Sequence, residues 1–284
     1  MNDVLLSPSL VSYKFFKMKI VILTYESYQS GLIIHQVLHY YHNQVVGIIQ
    51  SEAIIPGKSL LQSLLFLFKK TGLKFIVHKG LEIIVSRILG IVARLLRMHL
   101  AVPALQQMAE SYGIPLAGTN NVNQSASVEA ICNWKPDLIV SIHFNQLIKK
   151  RVIQLAPAGA INIHPALLPK NRGTFPYFWA LVNRDAETGS TVHWIDPKFD
   201  SGDIILQEKI KISESDTVTS LANRCARLGA DLMVEAIKLI QAGNPPRIPQ
   251  DNTKATYFSW PTPEAARQLK RQKKYGSVLD LWRV

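Results

Sequence analysis

The sequence predicts an α/β fold in which a largely parallel sheet carries helices on both faces. Strand-like and helix-like patterns alternate from Lys19 to Ile163, as βαβ units require. The run Asp137–Ile142 is strongly β-type, with Leu, Ile and Val in succession. Hydrophobic residues make up 48% of the 284-residue chain, which suffices for one large core.

The first unit is a βαβ unit. A strand is predicted at Lys19–Thr24, a helix at Gly31–Tyr41 and a second strand at Val45–Gln50. The loop Tyr25–Ser30 between the first two elements contains neither G-x-G-x-x-G nor a P-loop pattern. The sequence therefore predicts no glycine-rich cradle for phosphate at this position.

Residues 56–102 form an apolar and basic insert, for which we predict two amphipathic helices, at Ser59–Phe68 and Leu81–Leu96. No run approaches the roughly 18–20 uncharged residues of a membrane-spanning helix. Two interpretations remain open. The helices cover the sheet or a dimer partner, or their basic face rests on a membrane surface or forms a lid over the substrate.

The remaining elements follow the same alternation. Strands are predicted at Ile114–Leu116, Asp137–Ile142, Ala160–Ile163, Thr188–Ile195 and Ile204–Ile212. Helices are predicted at Val102–Tyr112, Ser127–Trp134, Lys149–Leu155 and Thr217–Gln241, the last closed by Gly243. We expect a loose leader at 1–17, a catalytic domain at 18–245 and a C-terminal extension at 246–284.

The charge and the cysteine content limit which partners and metal sites the sequence predicts. The net charge of +12 admits an anionic partner, or simply a solvated basic surface. Aromatic residues are not interleaved with the basic ones as a stacking platform requires, so we expect no nucleic-acid partner. Cys132 and Cys225 lack metal-ligand spacing. We interpret them as buried thiols of a cytoplasmic protein without a metal site.

A split motif indicates the chemistry. Asn162-Ile-His164-Pro-Ala-Leu-Leu-Pro169 ends an apolar run, and Phe199-Asp200-Ser-Gly-Asp203 follows about forty residues later. An amide can donate to a developing oxyanion, an imidazole can move a proton, and a carboxylate can orient that imidazole. These groups follow a predicted strand, where α/β sheets place their ligand sites.

The region Ile161–Gln207 resembles the superfamily of formyltransferases that use 10-formyltetrahydrofolate. The matching stretches are Asn162 to Gly173 with Pro176 and Trp179, then Thr188 to His193, then Asp200 to Ile204. Weaker agreement extends over roughly 18–245. The resemblance implies a Rossmann-like, doubly wound sheet and a folate-dependent N-formyltransferase with 10-formyltetrahydrofolate as co-substrate.

Roles carried over from the resemblance make Asn162, His164 and Asp200 the catalytic residues. Asp203 is the main rival of Asp200, and we interpret it as a turn cap. His193 either supports the site or simply packs in its strand, and Arg172 meets a substrate anion or makes a surface contact. The folate is expected to lie against Gln146, Leu147, Ile148, Asp196 and Phe199.

The acceptor is expected to be a small amine, and we predict an amino sugar or its nucleotide conjugate. The first loop lacks the glycine-rich phosphate loop of glycinamide ribonucleotide formyltransferases. Some 40 residues follow Gly243, fewer than the C-terminal barrel of methionyl-tRNA formyltransferases needs. Those two activities, a deformylase that releases formate, and a folate- or RNA-binding protein with an inactive site remain the alternatives. The oligomeric state stays open.

Overall fold

The computed structural model describes residues 17–73, 76, 77, 80 and 102–272. Seven strands of this part form one sheet in the order β3-β2-β1-β4-β5-β7-β8. The strands are β1 Ile20–Thr24, β2 Val45–Ser51, β3 Leu116–Thr119, β4 Leu138–Ile142, β5 Ala160–His164, β7 Glu187–Trp194 and β8 Ile204–Lys211. β1 to β5 pair in parallel, whereas β7 and β8 are antiparallel.

Helices lie on both faces of this sheet. They are α1 Tyr28–Tyr41, α2 Leu60–Thr71, α3 Leu105–Ser111, α4 Ser125–Trp134, α5 Lys150–Ile153, α6 Pro176–Val182, α7 Val218–Gln241 and α8 Pro263–Arg271. In β1, Ile20 and Ile22 join a cluster with α1 and α7, whereas Val21 and Leu23 join one with α4 and α5. This alternation fills both faces with apolar side chains, as a central parallel strand requires. The predicted doubly wound fold is confirmed.

Several boundaries differ from the prediction. α1 begins at Tyr28 rather than Gly31, because the Ser27 hydroxyl accepts from the Ser30 amide and caps the helix inside the predicted loop. The first insert helix is present as α2, while the second, at Leu81–Leu96, and the leader lie outside the described residues. β3 also begins two residues later than the start predicted at Ile114.

The residues that follow α7 pack back onto the domain. A short strand β9, Tyr257–Phe258, pairs with β6, Arg172–Gly173, and the Phe258 ring stacks on Trp179 at 4.9 Å. α6 and α8 pack together with α7 in a third apolar cluster. α7 was predicted at Thr217–Gln241, whereas α6 and α8 were not predicted.

The expectation of two buried thiols holds for one cysteine only. Cys225 is buried in α7, and burial raises its pKa to about 12. Cys132 is exposed, so that part of the expectation is wrong. It lies on the outer side of α4, whose inner face is formed by Val128 and Ile131.

Candidate active site

The register of three neighbouring strands brings the motif together. β5 lies between β4 and β7, and Asn162 pairs with Ser141 on one side and with His193 on the other. His164 is the last residue of β5. Asn162 and His164 therefore lie toward the carboxyl end of a parallel strand, beside the point where the sheet changes to antiparallel pairing.

The Asn162 side chain is held at both ends. Its Oδ1 accepts a 2.7 Å hydrogen bond from the Ser141 hydroxyl, and its Nδ2 lies 3.1 Å from His193 Nε2. Because an amide nitrogen carries two hydrogens, the second remains for a ligand. The side chain is thus oriented before any substrate arrives.

The partners of His193 define its protonation state. Its Nδ1 lies 2.8 Å from the Trp194 carbonyl oxygen, which only accepts, so Nδ1 carries the hydrogen. Burial lowers the pKa of His193, although the nearby Asp200 carboxylate opposes that shift. A neutral ring leaves Nε2 as the acceptor for the Asn162 amide.

His164 is 4% exposed and faces a carboxylate. Its Nε2 donates to the Asn171 carbonyl oxygen at 2.8 Å, so Nδ1 is the basic nitrogen of the neutral ring. This Nδ1 lies 3.6 Å from Asp200 Oδ1, a distance of charge attraction rather than a formed hydrogen bond.

Asp200 sits between the two histidines. Its Oδ1 is 3.8 Å from His193 Nε2 as well, and its Oδ2 accepts the Gly173 amide hydrogen at 2.9 Å. The rival carboxylate of Asp203 lies 3.9 Å from Arg247 instead. The structure therefore places Asp200, rather than Asp203, beside His164.

Three non-glycine residues around His164 have left-handed backbone. Asp200 has φ 52°, Asn171 has φ 57°, and His143, at the end of β4, has φ 50°. Such conformations cost non-glycine residues about 1–3 kcal/mol each and persist where the surroundings impose them. Three of them around one imidazole indicate that the geometry of this site is imposed by tertiary contacts.

His143 is a site residue that sequence reasoning missed. Burial, and next the charge of His164, lower its pKa to about 4. Its Nε2 is buried without a hydrogen-bond partner in the described part of the chain. The only sequence signal was its position immediately after a strand in a polar loop.

Two of the predicted folate residues turn their side chains into the protein. Gln146 accepts from the Val122 amide and donates to the Ser51 hydroxyl, both at 2.7 Å, while Ile148 is 4% exposed in the core. Gln146 and Leu147 nevertheless both line a cavity of about 400 Å³. Ile148 does not line it, so a folate contact at that position has to use the backbone.

The other two predicted folate residues lie elsewhere. Phe199 is 52% exposed and lines a separate cavity of about 310 Å³, together with Arg172 and Tyr257. Both carboxylate oxygens of Asp196 accept from the Ser201 hydroxyl at 2.8 Å, which closes the turn that contains Asp200. The structure thus divides the predicted folate residues, and the three predicted catalytic residues line neither of these two cavities.

A second missed residue is Gln250, which braces the Asp200 turn. Its Nε2 donates to the carbonyl oxygens of Asp200 at 3.0 Å and Gly202 at 2.7 Å. Its Oε1 accepts from the Arg172 guanidinium at 2.7 Å, which also contacts Asn252 at 2.9 Å. The Arg172 side chain is thereby engaged within its own chain, which corresponds to the second of its two predicted roles.

Comparison with known proteins finds relatives over about half of the chain. The chain is 44% identical over 137 residues to a methionyl-tRNA formyltransferase of Methylacidiphilum infernorum, covering 48% of this chain and 43% of that protein. It is 42% identical over 153 residues to the methionyl-tRNA formyltransferase of Kosmotoga olearia, covering 54% of this chain and 49% of that protein. The chain thus spans about half the length of the curated relatives it matches.

Solved structures support the fold. An N-formyltransferase from Helicobacter canadensis, in complex with folinic acid and dTDP-3-aminofucose, superposes with a TM-score of 0.57 at 19% identity, over 85% of this chain and 71% of that one. Glycinamide ribonucleotide transformylase 1 from Symbiobacterium toebii superposes with a TM-score of 0.55 at 17% identity, over 82% of this chain and 95% of that one.

The family model described as formyl transferase matches residues 92–237. That range is more than half of the chain and contains β4, β5, β7, β8 and the whole Asn162, His164 and Asp200 arrangement. The chain belongs to the formyl transferase family.

Proposed function

We propose that the chain transfers the formyl group of 10-formyltetrahydrofolate to a primary amine. The observation that carries this proposal is the convergence of an oriented amide, a buried imidazole and a carboxylate at the end of β5. An amide donor, a base and its carboxylate partner are the groups that acyl transfer between nitrogens requires, so the residues present fit a formyl donor. The folate supplies the activated formyl group.

Asn162 and His164 have separable roles in this proposal. The free N–H of Asn162 donates to the formyl oxygen as its carbon becomes bonded to the amine, a contact typically worth about 3–4 kcal/mol in the transition state. His164 Nδ1 takes the proton that the amine loses, and Asp200 stabilises the resulting imidazolium. The proton then passes to the folate nitrogen from His164, or through a water held by Asp200, as the old carbon–nitrogen bond breaks.

We propose an amino sugar or its nucleotide conjugate as the acceptor. The Tyr25–Ser27 turn before α1 has no glycine, and the Ser27 hydroxyl is already engaged in capping, which disfavours a phosphoribosyl group there. The cavity beside Leu147, where we expect the folate, is lined by Lys58, Lys149 and three asparagines, a set of donors that suits carboxylate groups. The acceptor would bind apart from it and be recognised by polar groups that the wrong amine leaves unpaired.

A second candidate acceptor is methionyl-tRNA. The similarity to proteins named methionyl-tRNA formyltransferase favours it, and so does the net charge of +12, since phosphate contacts dominate nucleic-acid affinity. Such binding would weaken steeply with added salt, whereas binding of a sugar nucleotide would weaken far less.

One experiment separates these possibilities. The purified chain is incubated with 10-formyltetrahydrofolate and, in turn, a nucleotide-linked amino sugar, methionyl-tRNA, glycinamide ribonucleotide or no amine, while tetrahydrofolate and formate are measured. We expect tetrahydrofolate to appear with the amino sugar and to be lost in His164→Ala. Formate release without an amine would instead identify a hydrolase, and turnover with methionyl-tRNA alone would replace the amino sugar as acceptor.

A further inference from the structure

An exposed apolar stripe runs along α2. Its members are Leu60, Leu61, Leu64, Leu65 and Phe68, of which Leu61 is 67% and Phe68 53% exposed. Spacings of one, three and four residues place them on one side of the helix. Folded proteins rarely leave a contiguous apolar surface of this kind uncovered, so the stripe indicates a binding surface.

The opposite side of α2 is already attached to the protein. Ser63 is buried, and the Phe66 ring meets Trp260 edge-on at 6.4 Å. Lys58 Nζ lies 5.6 Å from the centre of the Phe66 ring, before the helix begins. The apolar stripe therefore points away from the domain on a helix whose orientation is fixed from behind.

The charged residues around the apolar stripe indicate which kind of partner it binds. Lys58 precedes the helix, and Lys69 and Lys70 lie in its last turn, all of them exposed. Across residues 56–102 there are eight lysines and arginines against a single glutamate, which gives this insert seven of the chain's twelve excess positive charges. Lysine is depleted in protein–protein interfaces but is typical of helices that lie on anionic lipid.

From these observations we infer that α2 is a docking surface for an anionic lipid bilayer. Leu60, Leu61, Leu64, Leu65 and Phe68 enter the boundary between headgroups and acyl chains, while the two lysines of the last turn contact anionic headgroups. Among the described residues no helix is both long and apolar enough to cross a membrane.

The position of α2 relates this surface to the cavity beside Leu147. Pro56 and Lys58, just before the helix, line the same cavity as Leu147. Behind the helix, Trp260 contacts Phe175 at 5.4 Å, and Phe175 lies two residues after Gly173, the amide donor to Asp200. A docked chain would thus hold the mouth of that cavity close to the bilayer. The inference does not depend on which amine is formylated.

Vesicle co-sedimentation of the full chain tests the inference. The vesicles contain either phosphatidylcholine alone or phosphatidylcholine mixed with phosphatidylglycerol. We expect binding to the anionic vesicles only, and weaker binding when salt rises from about 0.1 M to about 0.5 M, because the lysine contacts are screened. No sedimentation with anionic vesicles would overturn the inference.

A matched pair of variants locates the contact. Leu61→Glu/Leu65→Glu is expected to weaken vesicle binding by at least about tenfold, since it removes apolar area and adds two negative charges. Tyr40→Glu/Tyr112→Glu adds the same charge at residues that are 58% and 41% exposed elsewhere, and should bind like the parent. Equal binding by the two variants would contradict the inference, as would a dimer in sedimentation velocity that only Leu61→Glu/Leu65→Glu dissociates. Thermal unfolding checks that both variants are folded.

Discussion

His193 Nε2 lies 3.1 Å from the amide nitrogen of Asn162, and this contact makes the protonation of one residue control the orientation of the other. The ring can accept from the amide only while Nε2 is unprotonated, a state that burial favours by lowering the pKa of His193. With Ser141 donating to Asn162 Oδ1 at 2.7 Å, the amide is held from both sides. His193 is therefore a positioning residue for the proposed oxyanion donor.

Replacing His193 should reduce turnover through Asn162. His193→Leu removes the acceptor, and we expect kcat to fall by roughly tenfold, the loss of about one good hydrogen bond, with little change in the KM for the amine. His193→Gln keeps an acceptor oxygen and should recover part of the rate. Steady-state kinetics of both variants measure this difference, and equal losses in the two would mean that His193 serves only strand packing.

The three predicted catalytic residues should be far less tolerant. His164→Ala and Asp200→Ala are each expected to lower kcat by at least about a hundredfold, as is usual for groups that move or stabilise the proton. Asp203→Ala is the control, because its carboxylate lies near Arg247 instead of His164. If Asp203→Ala were the more damaging change, the assignment of Asp200 would be wrong.

The sequence predicted the features that depend on strand order and on the local motif. Alternating elements defined the sheet, and adjacent strands then brought Asn162 beside His193 and His164 close to Asp200. The contacts of Gln250 and His143 escaped it for a physical reason. Gln250 reaches a turn fifty residues away, and His143 depends on a left-handed backbone, and neither property leaves a periodic pattern. The polar side of Gln146 likewise turned inward because Val122 and Ser51 offered partners that only the fold reveals.

His143 should make the protein sensitive to acid. Its folded pKa is about 4, against about 6.5 in the unfolded chain, so between these values only the unfolded state is protonated. Its contribution to stability is therefore complete above pH 6.5 and is lost as pH falls toward 4. In urea unfolding of the wild type, this group should lower the free energy of unfolding by up to about 1.4 kcal/mol for each pH unit of acidification. His143→Asn, in which asparagine tolerates the positive φ, should lack this part of the pH slope.

The matched control for that measurement is His35→Asn, on the exposed side of α1. It removes a histidine without touching the site and should retain the wild-type slope. A wild-type slope in His143→Asn as well would show that the acid sensitivity has another source.

Gly173 is expected to be irreplaceable for two reasons that can be separated. It has φ +98°, and a Cβ there would lie 2.1 Å from the Phe258 carbonyl oxygen, in the β6–β9 pairing. Gly113 has φ +66° with open space around it. Gly113→Ala should cost only the backbone penalty of about 1 kcal/mol, whereas Gly173→Ala should cost at least about 2 kcal/mol more.

Because the Gly173 amide also donates to Asp200 Oδ2, Gly173→Ala should reduce kcat at temperatures where it remains folded. Urea unfolding and kinetics on the same samples separate the two effects. Similar free energies of unfolding for the two alanine variants would show that β9 can yield to the added methyl group.

Gln250 should act on the site without touching the substrate. Removing its side chain releases the carbonyl oxygens of Asp200 and Gly202 and leaves Arg172 without its 2.7 Å partner, so the Asp200 carboxylate loses its fixed position. Each of these hydrogen bonds contributes about 0.5–1.5 kcal/mol, so we expect Gln250→Ala to lower kcat by roughly tenfold. The control is Gln268→Ala, which removes a similar 3.1 Å bond to the Val182 carbonyl on α6 and should affect only stability. Loss of activity in Gln268→Ala to the same extent would mean that any loosening of the C-terminal segment is enough, and that the brace on the Asp200 turn has no particular role.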